Sequence, residues 1–171
     1  IVVDDGSTDR TVDIVSELSK KHPKITHVIK ENGGISSARN LGIKLSNSEF
    51  VALLDGDDIW LPRKLDKQMS TLEKNKCDIV YSGFYTFSDL KRLSPAVIPR
   101  KLSGVGKKVV TDLYLRGGPI LPSTVIFRRI VCGGVQLFDE GLRQAEDTDY
   151  WLRYLQRGHV ELCENALVCR R

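Results

Sequence analysis

Two clusters of carboxylates follow apolar runs in this chain. Asp4 and Asp5 close "IVVDD", and Asp55, Asp57 and Asp58 follow the apolar run of "FVALLDGDDIW". Carboxylates this close repel one another and raise each other's pKa, so such a cluster calls for positive charge. A divalent cation with oxygen ligands supplies it. Mg2+ and Mn2+ favour carboxylate and water, and often hold substrate phosphates as well. The spacing of Asp55 and Asp57 suits the task, because residues two apart in extended chain point the same way. Gly56 between them lets the backbone bend and come close to a ligand. On these residues alone an alternative stands level: Asp57 and Asp58 cap a helix beginning near Pro62. A third acidic group, Glu146, Asp147 and Asp149 in "AEDTDYW", fits a first helical turn, where acids match the positive end of the helix dipole.

The elements that must position these residues alternate. "IVV" reads as a strand, and "TVDIVSELSKKH" as a helix with Val12, Val15 and Leu18 at helical spacing. "ITHVIK" is a strand. "ISSARNLGIKLS" is a helix with Ile35, Ala38, Leu41 and Leu45 on one face. "EFVALLD" is a near-continuous apolar run, as in a parallel strand buried on both sides. The next helix carries Leu61, Leu65, Met69 and Leu72 on its apolar face, with Pro62 in its first turn. "DIVYSGFYTF" and "STVIFRR" are strands, residues 88–108 form a long excursion, and "VVTDLYLRGG" is a short helix ended by Gly117. "EDTDYWLRYLQRG" is a helix closed by Gly158, followed by one or two final strands. This order predicts an α/β fold, with a mainly parallel central sheet flanked by helices, in one domain over residues 1–171. Ligands of such sheets bind outside the carboxyl ends of the strands. If the two acid-tipped strands are neighbours, five carboxylates reach one crevice.

Composition excludes several classes. The 171 residues are 41% hydrophobic and 28% charged, ordinary for a globular domain with a real core. The net charge of +4 comes with basic pairs such as Lys107–Lys108 and Arg128–Arg129, read as solvated surface. No aromatics interleave with them, which argues against nucleic acid. No apolar run approaches a membrane span. Cys77, Cys132, Cys163 and Cys169 show no C-x-x-C spacing, so buried free thiols are expected rather than zinc ligands. The chain opens in mid-strand at Ile1, as an N-terminally incomplete piece would.

Four motifs, "VVDDGSTDRT", "NGGISSARNLGI", "FVALLDGDDIWLP" and "AEDTDYWLRYLQRG", stand in an order and spacing that resembles family 2 glycosyltransferases of the GT-A fold. The likeness runs from the first residues to about Gly158. The strand with which the family begins, ending in P-x-Y-N, would precede Ile1. The resemblance implies transfer of a sugar, with inversion, from a nucleotide-diphosphate donor to an acceptor hydroxyl. It implies that Asp5, with Asp4 beside it, receives the N–H of a base such as uracil, so that a UDP-sugar is the expected donor. Arg39 of "ARN" would line the nucleotide site; a surface ion pair is the competing reading. Asp55 would reach the ribose or support the metal, and Asp57 would bind Mn2+ or Mg2+ bridging the diphosphate. Asp147 would be the general base, with Glu146 its neighbour and fallback. "RGGPILPSTVIFRR" would face the acceptor, a saccharide or lipid-linked sugar of bacterial surface polysaccharide. The basic cluster at residues 100–108 would suit a phosphorylated or lipid-linked one. The implied place of action is the cytoplasm, with peripheral contact at the inner face of the membrane.

Two rivals remain on the residues. An apolar strand running into D-x-D also marks haloacid-dehalogenase-type phosphohydrolases, although no downstream G-D-x-x-x-D follows. A module that binds nucleotide sugar without catalysis is the other. An EF-hand is excluded, because Trp60 stands where that loop requires glycine, and no G-x-G-x-x-G marks a dehydrogenase.

Overall fold

The computed structural model describes residues 1–89, 92–117, 120–131 and 134–171. Cys132, expected as a free thiol, and Gly118 and Pro119 of the expected acceptor-facing segment lie outside the described residues. The chain forms two compact units, residues 1–48 with 137–146, and residues 49–136 with 147–171.

In the first unit, β1 (Val2–Asp4), α1 (Thr11–Lys21), β2 (His27–Ile29) and α2 (Ile35–Leu45) follow the predicted order. β1 and β2 pair in parallel, with Val3 opposite Val28. α1 begins after Arg10, an N-cap without a side-chain cap bond, while the Asp9 carboxylate accepts the amide of Thr11. α2 starts at Gly34, whose φ of 85° suits glycine. Its buried side chains are Ser36, Asn40 and Ile43, while Ile35 and Leu45 are exposed. The apolar face predicted for this helix is therefore corrected. The polar Asn40 turns inward because a segment of chain needs its amide, as described below.

In the second unit the elements are β3 (Phe50–Ala52), β4 (Ile59–Trp60), α3 (Lys64–Asn75), β5 (Ile79–Asp89), β6 (Arg92–Leu93), α4 (Lys107–Arg116), a 3-10 turn (Pro122–Thr124), β7 (Val125–Arg128), β8 (Ile130–Val131), β9 (Gly134–Val135), α5 (Glu146–Tyr154) and β10 (Val160–Arg170). The main sheet runs in the order β3-β7-β5-β10-β4, with β6 beside β5. β7 is antiparallel to both β3 and β5, β5 and β10 are parallel, and β4 is antiparallel to β10. The predicted mainly parallel sheet is thus corrected to a mixed one. β3 and β5 do run the same way, as strands joined by a helix should, but β7 comes in later and separates them. β3 is an edge strand of three half-buried residues, not one buried on both sides. β1 pairs with β2 in a separate sheet, so the two acid-tipped strands do not pair as neighbours.

The core of this unit gathers Leu72, Cys77, Val80, Ile126, Cys163 and Leu167. Beside it Phe127 meets Tyr150, Trp151 and Tyr154 edge-on, at 5.8 Å each. Cys77, Cys163 and Cys169 are buried free thiols, as expected. α3 buries Lys64, Gln68 and Leu72, and leaves Leu65 exposed. Lys64 and Gln68 take the inward places expected of Leu65 and Met69, while Leu72 is buried as read and Met69 packs partly buried on the core. Replacing Leu72 with Ala should therefore lower unfolding stability by about 2–5 kcal/mol, and Leu65→Ala should change it by less than about 0.5 kcal/mol. Chemical denaturation of the two variants checks the pair.

Candidate active site

In the first unit the acids at the end of β1 divide the work. Asp4 is buried, and its Oδ1 accepts the amides of Gly6, at 3.1 Å, and Ser7, at 2.7 Å. The turn chemistry before Gly6 belongs to Asp4. The Ser7 amide bond leads the causes that hold its carboxyl below the usual range. Asp5 instead accepts Lys30 Nζ at 2.6 Å and the amides of Gly33 and Gly34 at 3.0 and 2.8 Å. Burial raises its pKa, but the Lys30, Gly33 and Gly34 donors outweigh that and hold it below the ordinary value. A Cβ on Gly33 would stand 2.8 Å from Lys30 Nζ and 3.0 Å from Ser37 Oγ. Glycine thus leaves room for the Lys30 ammonium and the Ser37 hydroxyl beside the turn. The "NGG" turn and β1 are fastened together at Asp5.

Arg39 and Asn40 of "ARN" bind the segment 137–146. Arg39 Nη1 lies 3.0 Å from Glu146 Oε1, with the two side chains 8% and 14% exposed. The guanidinium also lies 5.3 Å from the centroid of the Phe138 ring. Asn40 acts as a strand partner would: its Oδ1 accepts the Phe138 amide and its Nδ2 donates to the Phe138 carbonyl and Glu140. The sequence reading singled out Arg39 and passed over Asn40. A polar residue four positions after Ser36 on the inner face was the available signal. Ala145, at a φ of 58°, then turns the chain into α5. For a non-glycine residue this left-handed backbone costs about 1–2 kcal/mol.

In the second unit Asp55, Asp57 and Asp58 form the tight turn between β3 and β4, closed by the Asp58 amide on the Asp55 carbonyl at 3.1 Å. Ser123 fixes both ends of this stretch. Its Oγ accepts the Asp55 amide at 3.0 Å, and its carbonyl accepts Trp60 Nε1 at 2.9 Å. Ser123 is buried and was not singled out in the sequence. Asp58 accepts the Arg171 amide. Neither Asp57 nor Asp58 caps α3, whose N-cap is Arg63 in left-handed conformation without a side-chain cap. Asp57 is exposed and, among the described residues, makes no hydrogen bond or ion pair. A Cβ on Gly56 would meet no atom within 4 Å, and Gly56 is not among the residues of positive φ. Protein packing therefore does not demand glycine there.

Glu146, Asp147 and Asp149 occupy the first turn of α5. Asp147 is half-buried, and its Oδ1 accepts the Thr148 amide at 2.6 Å. Asp149 pairs with Arg153 at 2.7 Å. Among the described residues no three His, Cys, Asp or Glu side chains are grouped to hold a metal. A cation that bridges a diphosphate needs fewer, since Mg2+ usually takes one or two carboxylates, waters and phosphate oxygens. Asp57, with hard oxygen donors, no partner among the described residues and open space at Gly56, fits that demand. In the basic stretch Arg100 pairs with Asp112, and Lys101 lies 3.8 Å from Glu161. Arg128, read as solvated, pairs with Glu49 and Asp78.

A family model described as glycosyl transferase family 2 matches residues 1–131. An uncharacterized glycosyltransferase of Bacillus subtilis, EpsJ, is 37% identical over 180 residues, covering 100% of this chain and 52% of its own. A putative teichuronic acid biosynthesis glycosyltransferase of that organism, TuaG, is 30% identical over 160 residues, covering 92% and 60%. The chain spans about half the length of the curated relatives it matches. Among solved structures, S. aureus TarS in complex with UDP superposes with a TM-score of 0.72 at 22% identity, over 98% of this chain and 49% of that one. A Pyrobaculum calidifontis mannosyltransferase in complex with GDP-Man and Mn2+ gives a TM-score of 0.62 at 17% identity, over 98% and 46%. The α/β fold is thus that of these structures. No helix among the described residues is long and apolar enough to cross a membrane.

The Asp5 contacts carry a pH dependence. A carboxylate whose folded pKa is depressed adds stability above its unfolded value, near pH 4, and loses it as pH falls through the folded value. Melting temperature should therefore drop on going from about pH 5 to about pH 3. Asp5→Asn should flatten that drop while lowering stability at neutral pH. Calorimetry across the series checks both.

Proposed function

The chain belongs to glycosyl transferase family 2, and from that premise we propose that residues 1–171 are a GT-A catalytic domain, or the larger part of one, that moves a sugar with inversion. The donor is a nucleotide-diphosphate sugar, with UDP as the carrier, and the acceptor is a hydroxyl of a saccharide or lipid-linked sugar. TuaG's place in teichuronic acid biosynthesis and TarS's complexes with UDP and UDP-GlcNAc support surface polysaccharide and UDP as the setting. The observation that carries the proposal is Asp57. It stands exposed and without a protein partner among the described residues, on a turn whose neighbour Asp55 is fastened to Ser123.

Each residue then has a task. Asp5, oriented by Lys30, Gly33 and Gly34, accepts the N–H of the uracil ring on lone pairs those donors leave free. Asp4 keeps the strand end rigid. Arg39, through Glu146, holds the segment 137–146 against α2. Asp55 offers its carboxylate to the ribose, and Asp57 is the residue that would hold Mn2+ or Mg2+. When bound, the cation supplies Lewis-acid stabilisation of the charge growing on the departing nucleoside diphosphate. Asp147, at the N-terminal turn of α5, takes the proton of the acceptor hydroxyl. The acceptor oxygen forms its bond to the anomeric carbon as the bond from that carbon to the diphosphate oxygen breaks. Peripheral contact with the inner membrane face would bring a lipid-linked acceptor within reach.

Turnover of a panel of UDP- and GDP-sugars on saccharide acceptors tests the assignment. Asp147→Asn should lower kcat by a factor of about 10^2–10^4 and leave the Kd for UDP within twofold. Unchanged kcat in that variant would remove Asp147 as the base.

A further inference from the structure

A lysine is buried beneath Trp60. Lys64 opens α3 with 1% of its surface exposed. Among the described residues its Nζ has no hydrogen-bond partner. The ammonium lies 4.3 Å from the centroid of the Trp60 ring, and an aromatic face is a favourable contact for a cation that has lost its water. A methionine would fill this place without the desolvation cost, so packing alone does not account for an amine here.

Trp60 links Lys64 to the acidic turn. Its backbone pairs with Val168 of β10. Its indole N–H donates to the Ser123 carbonyl at 2.9 Å, and Ser123 Oγ accepts the Asp55 amide at 3.0 Å. All four residues belong to the second unit. We propose that Lys64 is a positioning residue for the Asp55–Asp58 turn: its ammonium seats the indole of Trp60 against Ser123, and Ser123 fixes the backbone of Asp55. The consequence for turnover rests on the transferase reading; the contacts do not.

The proton on Lys64 is the variable part. Burial pushes the amine down to about 7, and Cys163 on β10 is the titratable group that opposes the shift. Of the other strands on which α3 packs, β5 and β7 bring Val80 and Ile126 to the same core as apolar side chains. Loss of the proton leaves a neutral amine under the indole and loosens its seat on Ser123. Near neutral pH the turn is then held in two degrees.

Nuclear magnetic resonance of the full chain without ligand tests this directly. From about pH 6 to about pH 9, the Trp60 indole N–H resonance, assigned with Trp60→Phe, should shift with one inflection near 7. The Asp55 amide should follow it. Both should lose that inflection in Lys64→Met. In Lys64→Arg, which keeps its charge, both should stay at their low-pH positions. The same inflection in Lys64→Met or Lys64→Arg, or an indole resonance that never moves in the wild type, would overturn the proposal. Should Lys64→Met not fold, the Arg variant decides alone. In turnover, the wild-type KM for the donor should rise several-fold from about pH 6.5 to about pH 8.5 relative to Lys64→Arg. A wild type that uses no donor removes the transferase reading and leaves the resonances to decide on Lys64.

Discussion

Every carboxylate brought out of bulk water needs a donor, and that constraint organises this chain. Asp4 takes the amides of its own turn, Asp5 takes a lysine and the glycine turn, and Glu146 takes a nearly buried arginine. Asp149 takes Arg153, and Asp58 takes a backbone amide. Asp57, on the same turn as Asp58, stays in solvent, exposed and unpaired among the described residues. An isolated surface aspartate needs no explanation. One beside Asp55, on a turn pinned by a buried serine, is where an outside cation has most to gain.

The same constraint explains why polar side chains face inward where apolar ones were expected. Asn40 supplies both a donor and an acceptor to Phe138, which an apolar residue cannot do. Gln68 donates to the Thr124 carbonyl at 2.7 Å, at the end of the turn that carries Ser123. Buried amides of this kind fix geometry more than they add stability, since each hydrogen bond replaces one to water. Asn40 braces residues 138–140 and Gln68 braces the Pro122–Thr124 turn.

Much of this was legible in the sequence. The order of the longer strands and the helices, the end of α4 at Gly117 and the start of α5 follow from period and turn chemistry; α5 stops at Tyr154, short of the Gly158 read as its close, and the short strands β4, β6, β8 and β9 were not legible. The motif order also separated a glycosyltransferase from a phosphohydrolase that shares the apolar strand and D-x-D, and the family match agrees. Sheet adjacency was not legible. β7, which follows β5 only after β6, α4 and the Pro122–Thr124 turn, enters between β3 and β5, and local pattern carries no signal for such a pairing. The inner faces of α2 and α3 were misread for a related reason. Apolar periodicity marks a face only when the core asks for apolar groups, and here it asks for Asn40, Lys64 and Gln68. Ser123 was hidden because a serine before a strand looks like any other; its importance lies in partners 63 and 68 residues away in sequence.

The central claim is that Asp57 carries the divalent ion through which the donor's diphosphate is held. Thermal unfolding with UDP, Mn2+, both or neither, for the wild type and Asp57→Asn, measures it most directly. Stabilisation of the wild type should require both together, reaching about 2.7 kcal/mol at a hundredfold excess over Kd, and Asp57→Asn should lose it. Equal stabilisation by UDP without metal, or an undiminished response in Asp57→Asn, would contradict the account.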